Sequence, residues 1–363
     1  WIFFFMHKKS SGVWIMAYTT INDPSAFFQC EIWTGNGSTR SITLSGNSDL
    51  QPDMVWLKQR SGSENHNLYD SIRGAGVRLI PNLANSESTT NELTAFNSDG
   101  FSLADGDEVN KSSSTYVSWN WKAGTAFSND ASSTGIGSID STGSVNDTAG
   151  FSIVSWTGTE ANATVKHGLS SAPKAILIKC RATDSRSWVV YHDSIGNTHH
   201  LTLNETDASA DSAASFNDTS PTTSVFSLGS SNNANASGTM IAYCFAEKQG
   251  YSKFGSYTGN GNADGPFIYM GFKPAFVIFK DTATRSWYLM DNKRDPENVV
   301  NNRLFPDAGD GDSTGLNVLD FLSNGIKIKT NDVSVNASGN TYTFISFAEN
   351  PFVTSTGVPA TAR

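Results

Sequence analysis

Clusters of acidic residues are the first candidates for chemistry, because paired carboxylates serve both acid–base catalysis and metal binding. Asp307, Asp310 and Asp312 lie together in a glycine-rich stretch that has the composition of a turn. Calcium binds several loop oxygens, so these three residues could hold it, although the spacing lacks the closing glutamate of an EF-hand loop. A retaining glycosidase needs two carboxylates about 5–5.5 Å apart, and no alternating acidic run is present. Solvated loops are favoured over a catalytic pair. The sequence predicts no cofactor, and calcium at these three aspartates is the alternative.

Histidines are the second set of candidates. His192 and Asp193 are adjacent, as in part of a triad, but the chain has no Gly-x-Ser-x-Gly elbow. His199 and His200 would point to opposite faces of a strand and could not share a metal ion. Asp70, Asp193 and Asp291 end three corresponding predicted strands, and an aspartate at a strand end commonly forms a turn. The sequence therefore predicts a protein that is not an enzyme, and leaves His192, Asp193 and Asp291 as candidate ligand contacts.

Aromatic residues are the third set, because sugars stack on their faces. Trp188 and Trp287 occupy matching positions after an Arg-Ser pair. Matched positions favour core packing, while sugar binding by these tryptophans remains the alternative. For a glycan site, the long polar loops 199–223 and 292–314 are the better places.

The candidates belong to a pattern that occurs three times along the chain. Each copy has an aromatic-Thr-Gly turn, then a proline and an apolar run ending in lysine, then a strand ending near aspartate, and finally an aromatic strand. Each copy spans about ninety residues. The turns begin at Trp33, Trp156 and Tyr257. Internal repeats of this kind indicate repeated structural units.

The apolar runs predict the fold class. They are four to eight residues long, rich in β-branched and aromatic residues, and bounded by Gly, Asn, Asp and Pro, as in strands. Continuous runs at 176–178 and 276–279 indicate strands covered on both faces. Ninety residues with five or more strands suit a small β-sandwich. We predict an all-β protein of three tandem β-sandwich (jelly-roll or lectin-like) modules.

The predicted boundaries follow from composition. Residues 1–29 form an N-terminal arm and module entry, and the modules cover 30–123, 151–247 and 248–363, the last with a C-terminal tail. Residues 124–150 are almost entirely small and polar, which predicts a flexible linker. We therefore expect the second and third modules to pack closely and the first to be joined loosely.

The chain ends and the cysteines add little chemistry. Met16 is a more natural start than Trp1, and the basic residues follow the apolar run, which is the wrong order for a secretory signal. We interpret residues 1–15 as upstream translated sequence or as an arm that packs on a neighbour. Three cysteines without Cys-x-x-Cys spacing predict buried, reduced thiols.

Composition excludes two classes of partner. Only 16% of the residues are charged and the net charge is −9, which argues against nucleic-acid binding. The chain has no apolar stretch of the roughly 18 residues that a transmembrane helix needs, so membrane insertion is not expected.

Several motifs resemble those of virion proteins from marine phages, of the tail-fibre or appendage type. These are the opening at 16–29, Trp-Thr-Gly-Asn-Gly at 33–37, Gly-Asn-Ser-Asp-Leu-Gln-Pro-Asp-Met-Val-Trp-Leu-Lys at 46–58, and the tail at 357–363. The resemblance covers nearly the whole chain from Met16 and implies lectin-like, concanavalin-like sandwiches. It carries no catalytic residue.

The leading hypothesis is a non-enzymatic structural protein on the virion surface, as a tail fibre, appendage or capsid decoration, assembled in the host cytoplasm. Its expected partners are other virion subunits, further copies of itself with a trimer favoured, and glycans of the host surface. The alternatives are a carbohydrate-binding lectin and, less favoured, a polysaccharide depolymerase.

Overall fold

The computed structural model describes residues 6–8 and 14–361, and its secondary structure is all-β with several antiparallel sheets, as predicted. Strands β1 (Met6–Lys8) and β2 (Trp14–Met16) pair with each other. A 3₁₀ turn at Pro24–Ala26 follows, capped by the side chain of Asp23. Within the described residues, no helix has the length and apolar character to cross a membrane.

The first repeat forms two main sheets. Its strands are β3 (Phe28–Thr34), β4 (Arg40–Ile42), β5 (Met54–Gln59), β6 (Asn67–Asp70), β7 (Val77–Arg78), β8 (Ser88–Thr89), β9 (Leu93–Phe96), β10 (Phe101–Leu103) and β11 (Thr115–Trp121), with helix α1 (Asp107–Asn110) before the last. The larger sheet has the order β3-β11-β5-β6 and the smaller β4-β10-β9. Strands β7 and β8 pair separately.

The second repeat has a larger main sheet. Its elements are β12 (Thr125–Asn129), α2 (Ala131–Thr134), β13 (Ser141–Asn146), β14 (Phe151–Gly158), β15 (Ala163–Lys166), β16 (Ala175–Cys180), β17 (Val189–His192), a 3₁₀ turn (Asp193–Ile195), β18 (His199–Thr202), β19 (Ala210–Asp211), α3 (Ala213–Phe216), β20 (Val225–Leu228) and β21 (Gly238–Phe245). Eight strands follow the order β12-β13-β14-β21-β16-β17-β18-β19, and β15 pairs with β20.

The expected flexible linker at 124–150 is folded in the structure. Strands β12 and β13 extend the sheet of the second repeat from the edge of β14. Small hydroxyl residues and Gly143 allow this, because a Cβ on Gly143 would lie 2.2 Å from the carbonyl oxygen of Ile153. The composition alone indicates a flexible segment, but pairing with the edge of β14 orders it.

The third repeat again forms two sheets. Its elements are β22 (Ser252–Thr258), β23 (Phe267–Tyr269), β24 (Phe272–Asp281), β25 (Tyr288–Asp291), β26 (Leu319–Leu322), β27 (Gly325–Ile328), α4 (Val333–Asn336) and β28 (Thr341–Pro351). The sheets have the orders β22-β28-β24-β25 and β23-β27-β26. The larger sheets of all three repeats therefore share one order, in which the first strand pairs with the last, and the last with the second.

The aromatic-Thr-Gly turn is locked in the same way in each repeat. A Cβ on Gly35, Gly158 or Gly259 would lie 2.1, 1.9 or 2.2 Å from a backbone carbonyl oxygen, so only glycine permits this close approach. Buried asparagines complete the turn: the side chains of Asn110 and Asn336 bond to it from the end of a short helix. The motif thus packs the turn that ends the first strand against the segment that precedes the last strand.

The central strands are buried on both faces, as their continuous apolar runs predict. One face packs against the smaller sheet of the same repeat. The other face joins a single apolar core that includes residues of all three repeats. In that core Phe28 of the first repeat stacks on Phe347 of the third, with ring centroids 5.1 Å apart. The first repeat therefore packs against the other two in a shared core, contrary to the loose joint expected from the linker.

Candidate functional site

Trp188 and Trp287, for which core packing was favoured over sugar binding, lie at the interfaces between repeats. Trp188 is fully buried, and its indole Nε1–H donates to the carbonyl oxygen of Ile80 in the first repeat at 3.0 Å. Trp287 is also buried and donates to Thr202 in the second repeat at 2.9 Å. Their rings are enclosed by protein and their donors are satisfied.

His66 occupies the corresponding position in the first repeat and closes the cycle. Its Nε2 lies 3.0 Å from the carbonyl oxygen of Phe305 in the third repeat. The indole Nε1–H of Trp56, which can only donate, contacts His66 Nδ1 at 2.9 Å. His66 is therefore the neutral tautomer that carries its proton on Nε2. Burial, followed by the nearby cation Lys58, holds the pKa of His66 well below its usual range.

A second cycle of contacts runs through buried ion pairs. Asp291 pairs with Arg294 at 2.6 Å and accepts from the indole Nε1–H of Trp119 in the first repeat at 3.0 Å. In the first repeat, Asp70 pairs with Arg73 at 2.6 Å in the same way. The hydroxyl of Tyr243, from the second repeat, donates to Asp70 at 2.6 Å. Asp291 is thus an interface residue rather than an exposed ligand contact.

His192 completes this second cycle. It lies opposite Ala175, as Asp291 lies opposite Phe276 and Asp70 opposite Met54, so the residue equivalent to the two aspartates is His192 and not Asp193. Its Nδ1 accepts from the backbone of Ser194 at 3.2 Å, and its Nε2 lies 3.0 Å from the carbonyl oxygen of Phe344 in the third repeat. Burial lowers the pKa of His192 to about 4.

Asp193 lies one residue further on, at the surface. Its carboxylate pairs with Lys174 at 2.7 Å, and both side chains are substantially exposed. The sequence pattern equates Asp193 with Asp70 and Asp291, which is one residue out of register. Arginine follows Asp70 and Asp291 by three residues, but neither position 195 nor position 196 is arginine, so this signal could not set the register of the second repeat.

The three predicted calcium ligands do not converge. Asp307 accepts from the backbone N–H of Trp287 at 3.0 Å, and burial raises the pKa of its carboxyl group. Asp312 accepts from Arg60 at 2.7 Å and from Arg294 at 2.9 Å, whereas Asp310 is exposed. Across residues 6–8 and 14–361, no group of three or more His, Cys, Asp or Glu side chains is arranged to hold a metal ion.

The lysines that end the second strand of each repeat are also buried. Lys58, Lys179 and Lys280 have no exposed surface, and backbone carbonyl oxygens accept from each ammonium group. Two of them reach the preceding repeat, since Lys179 donates to Ala84 at 3.3 Å and Lys280 to Thr206 at 3.4 Å. Burial lowers the pKa of each lysine to about 8. Lys179 and Lys280 thus tie loops together across the interfaces, whereas Lys58 donates to Gln59 and Gly62 in its own repeat.

A polar cleft of about 560 Å³ opens between the first and third repeats. Lys273 and Glu349 form an ion pair in it at 2.8 Å, and the amide of Asn292 donates to Glu349 at 2.6 Å. The start of the polar loop 292–314 forms part of its wall. The cleft offers amide and carboxylate oxygens for hydrogen bonding.

These features define a class of protein, namely an all-β chain whose three repeats share one strand order and close on a common core. Residues 23–351 match the family described as Domain of unknown function (DUF7483), and the chain belongs to this family. No curated protein and no solved structure matches the chain.

Proposed function

We propose that this protein is a non-enzymatic structural component of a phage particle, displayed on the particle surface as a tail fibre, appendage or capsid decoration. In this proposal the three repeats are lectin-like β-sandwich modules, and the role is mechanical and adhesive. The proposal rests on the motifs that resemble those of marine phage virion proteins and on how the chain uses its polar side chains.

The observation that carries the proposal is the closed cycle of contacts between repeats. His66, Trp188 and Trp287 each donate a ring N–H to the neighbouring repeat. The pairs built on Asp70 and Asp291 are fully buried, where removing one partner is costly. These side chains are therefore committed to cohesion between the repeats, which supports a mechanical role.

The weakly charged surface is consistent with an external position in seawater. At an ionic strength of roughly 0.5 M, the Debye length is about 4–5 Å, so exposed charge pairs contribute little. The common aromatic core is shielded from salt. A structural protein stabilised by such a core therefore keeps its folding stability at this ionic strength.

Assembly with other virion subunits and with further copies of this chain, with a trimer favoured, belongs to the same proposal. Light scattering of the purified chain tests self-association, since a trimer has three times the 39.0 kDa mass of one chain. A monomer at all concentrations would contradict that part.

The location is tested with particles of the phage that encodes the chain. Particles purified through a density gradient are analysed by quantitative mass spectrometry and labelled with gold-conjugated antibody against the recombinant protein. We expect the chain at a fixed copy number per particle, with label on intact particles. Its recovery only in the soluble fraction of the lysate would overturn the proposal.

A further inference from the structure

The smaller sheet of the third repeat presents two aromatic side chains to solvent. Strand β23 is an edge strand that pairs only with β27 in that sheet. Phe267 and Tyr269 are 47% and 51% exposed, whereas Ile268 between them is buried in the core of the repeat. Alternate residues of a strand share a face, so the two rings lie side by side, about 7 Å apart along the strand.

The other repeats show that the fold does not require aromatic residues here. Ile268 lies opposite Ile326, as Ile42 lies opposite Phe101 and Val165 opposite Phe226. The outward positions on either side are Ser41 and Thr43 in the first repeat, and Thr164 and Lys166 in the second. The same strand is therefore built with small or polar outward residues twice, and with an aromatic pair only in the third repeat.

Polar groups surround the two rings on the same sheet face. Lys327 lies directly across from Phe267, and it pairs at 2.6 Å with Asp264, which is 85% exposed at its side chain. Asp320 lies across from Lys327 on the next strand, but its carboxylate is largely buried and pairs with Lys329 at 3.5 Å. The partner position of Tyr269 is Gly325, whose lack of a side chain leaves one side of the ring uncovered.

The hydroxyl of Tyr269 is held in place by Tyr18. The Tyr18 hydroxyl donates to the carbonyl oxygen of Gly271 at 2.8 Å and lies 3.2 Å from the Tyr269 hydroxyl. Because a phenol has one proton to donate, Tyr269 is the donor to Tyr18. The ring orientation is thus set before any ligand arrives, which reduces the entropic cost of binding.

We propose that this face, formed by Phe267, Tyr269, Lys327 and Asp264, binds a neutral oligosaccharide. The apolar faces of sugar rings stack on the aromatic pair, and sugar hydroxyls bond to the Asp264 carboxylate and the Lys327 ammonium group. This site rests on the proposed function and makes its adhesive part specific, since it gives the class of ligand and the face that binds it.

Two other occupants fit less well. A single-stranded nucleic acid would also stack on aromatic rings, but it needs a positively charged groove, and here Lys327 is matched by Asp264 on a chain of net charge −9. A protein partner would normally cover about 800 Å² on each side, far more than two rings provide.

The test uses the full chain and an array of neutral and acidic oligosaccharides, including hexasaccharides of glucose, mannose and galactose. The best neutral probe is then titrated by calorimetry into the wild type and into the double variant Phe267→Ser/Tyr269→Thr. This variant carries the residues of the first repeat, so the strand tolerates them. We expect binding of a neutral probe and a loss of affinity of about tenfold or more in the variant.

The matched control is Val333→Ser, which removes an exposed apolar residue of the same repeat, and it should bind like the wild type. Equal melting temperatures establish that the variants are folded. The inference is overturned if no neutral probe binds, if the double variant binds normally, or if the double variant abolishes self-association instead. Particle labelling is independent of these outcomes, so the failure of this site is distinguishable from the failure of the proposed function.

Discussion

His66, Trp188 and Trp287 occupy one position in three repeats, and each uses a ring N–H to reach a neighbouring carbonyl oxygen. Histidine can replace tryptophan only if its second ring nitrogen is satisfied. Trp56 supplies that partner, whereas the equivalent residues Leu177 and Ile278 have no donor. In the first repeat, histidine at position 66 therefore depends on tryptophan at position 56.

The buried histidines make the protein sensitive to acid. The folded pKa of His192 is about 4 against 6.5 in the unfolded chain, and that of His66 is also lowered. Between these pH values only the unfolded state takes up the proton, so the free energy of unfolding falls as pH falls. The expected slope is about 1.4 kcal/mol per pH unit for each histidine. Urea unfolding between pH 7 and 4.5 measures it.

The control for this prediction is His192→Gln, which keeps a donor but cannot titrate. Its slope should be shallower than that of the wild type over the same pH range. An unchanged slope in this variant would assign the acid sensitivity to other groups.

The buried lysines should matter more than exposed ones. Lys179→Met leaves the carbonyl oxygens of Cys180 and Arg186 without their ammonium donor, at 3.1 and 2.6 Å in the wild type. We expect a loss of about 2 kcal/mol in the free energy of unfolding. The matched change Lys174→Met removes only a surface ion pair and should cost less than about 0.5 kcal/mol. Equal effects in urea titrations would contradict the prediction.

At the scale of strands, the sequence predicts much of the repeat and little of its register. The aromatic-Thr-Gly turn, the proline and the strand-ending lysine mark the same positions in every copy. The equivalence of His192 with Asp70 and Asp291 was missed, because an aspartate follows it directly and side-chain type gave the wrong alignment. Backbone pairing with the neighbouring strand, which the sequence does not display, decides the register.

The interfaces between strands of different repeats suggest an exchange experiment. The second repeat contacts the third through His192, Ile195 and Ile345. At the other two interfaces, the equivalent positions hold a buried aspartate, a buried arginine, and a tyrosine or tryptophan that donates to the aspartate. Arg73→Ile alone leaves Asp70 buried without its cation and should cost about 3–5 kcal/mol. The triple variant Asp70→His/Arg73→Ile/Tyr243→Ile copies the natural alternative and should recover at least half of that loss.

Chemical denaturation of the two variants beside the wild type measures this recovery. A triple variant as unstable as Arg73→Ile would show that the two interface types are not interchangeable. Tyr243→Ile alone serves as the control for removing the hydroxyl from Asp70.

At the scale of the whole molecule, the arrangement of the repeats was beyond sequence reasoning. The runs 176–178 and 276–279 correctly predict strands covered on both faces, but they do not say what covers the second face. The structure covers it with the other two repeats. The prediction of a flexible linker at 124–150 was wrong for a related reason. Small polar residues are equally compatible with a free linker and with additional edge strands of a sheet, which is what the segment forms.

A shared core predicts that the three repeats unfold together. Trp119 and Phe276 come from different repeats and meet in that core, with ring centroids 5.9 Å apart. We expect one calorimetric transition whose measured enthalpy equals the van't Hoff enthalpy. An early transition that belongs to the first repeat alone would contradict a shared core and support a loose joint.

We propose a structural role for this chain on the surface of a phage particle, with its three repeats held together by the contacts between them. Cryo-electron microscopy of the particles tests this proposal most directly. We expect density on the outer surface that fits three packed repeats as one body, with strand β23 facing outward. Particles without such density, or repeats separated along a thread, would contradict it.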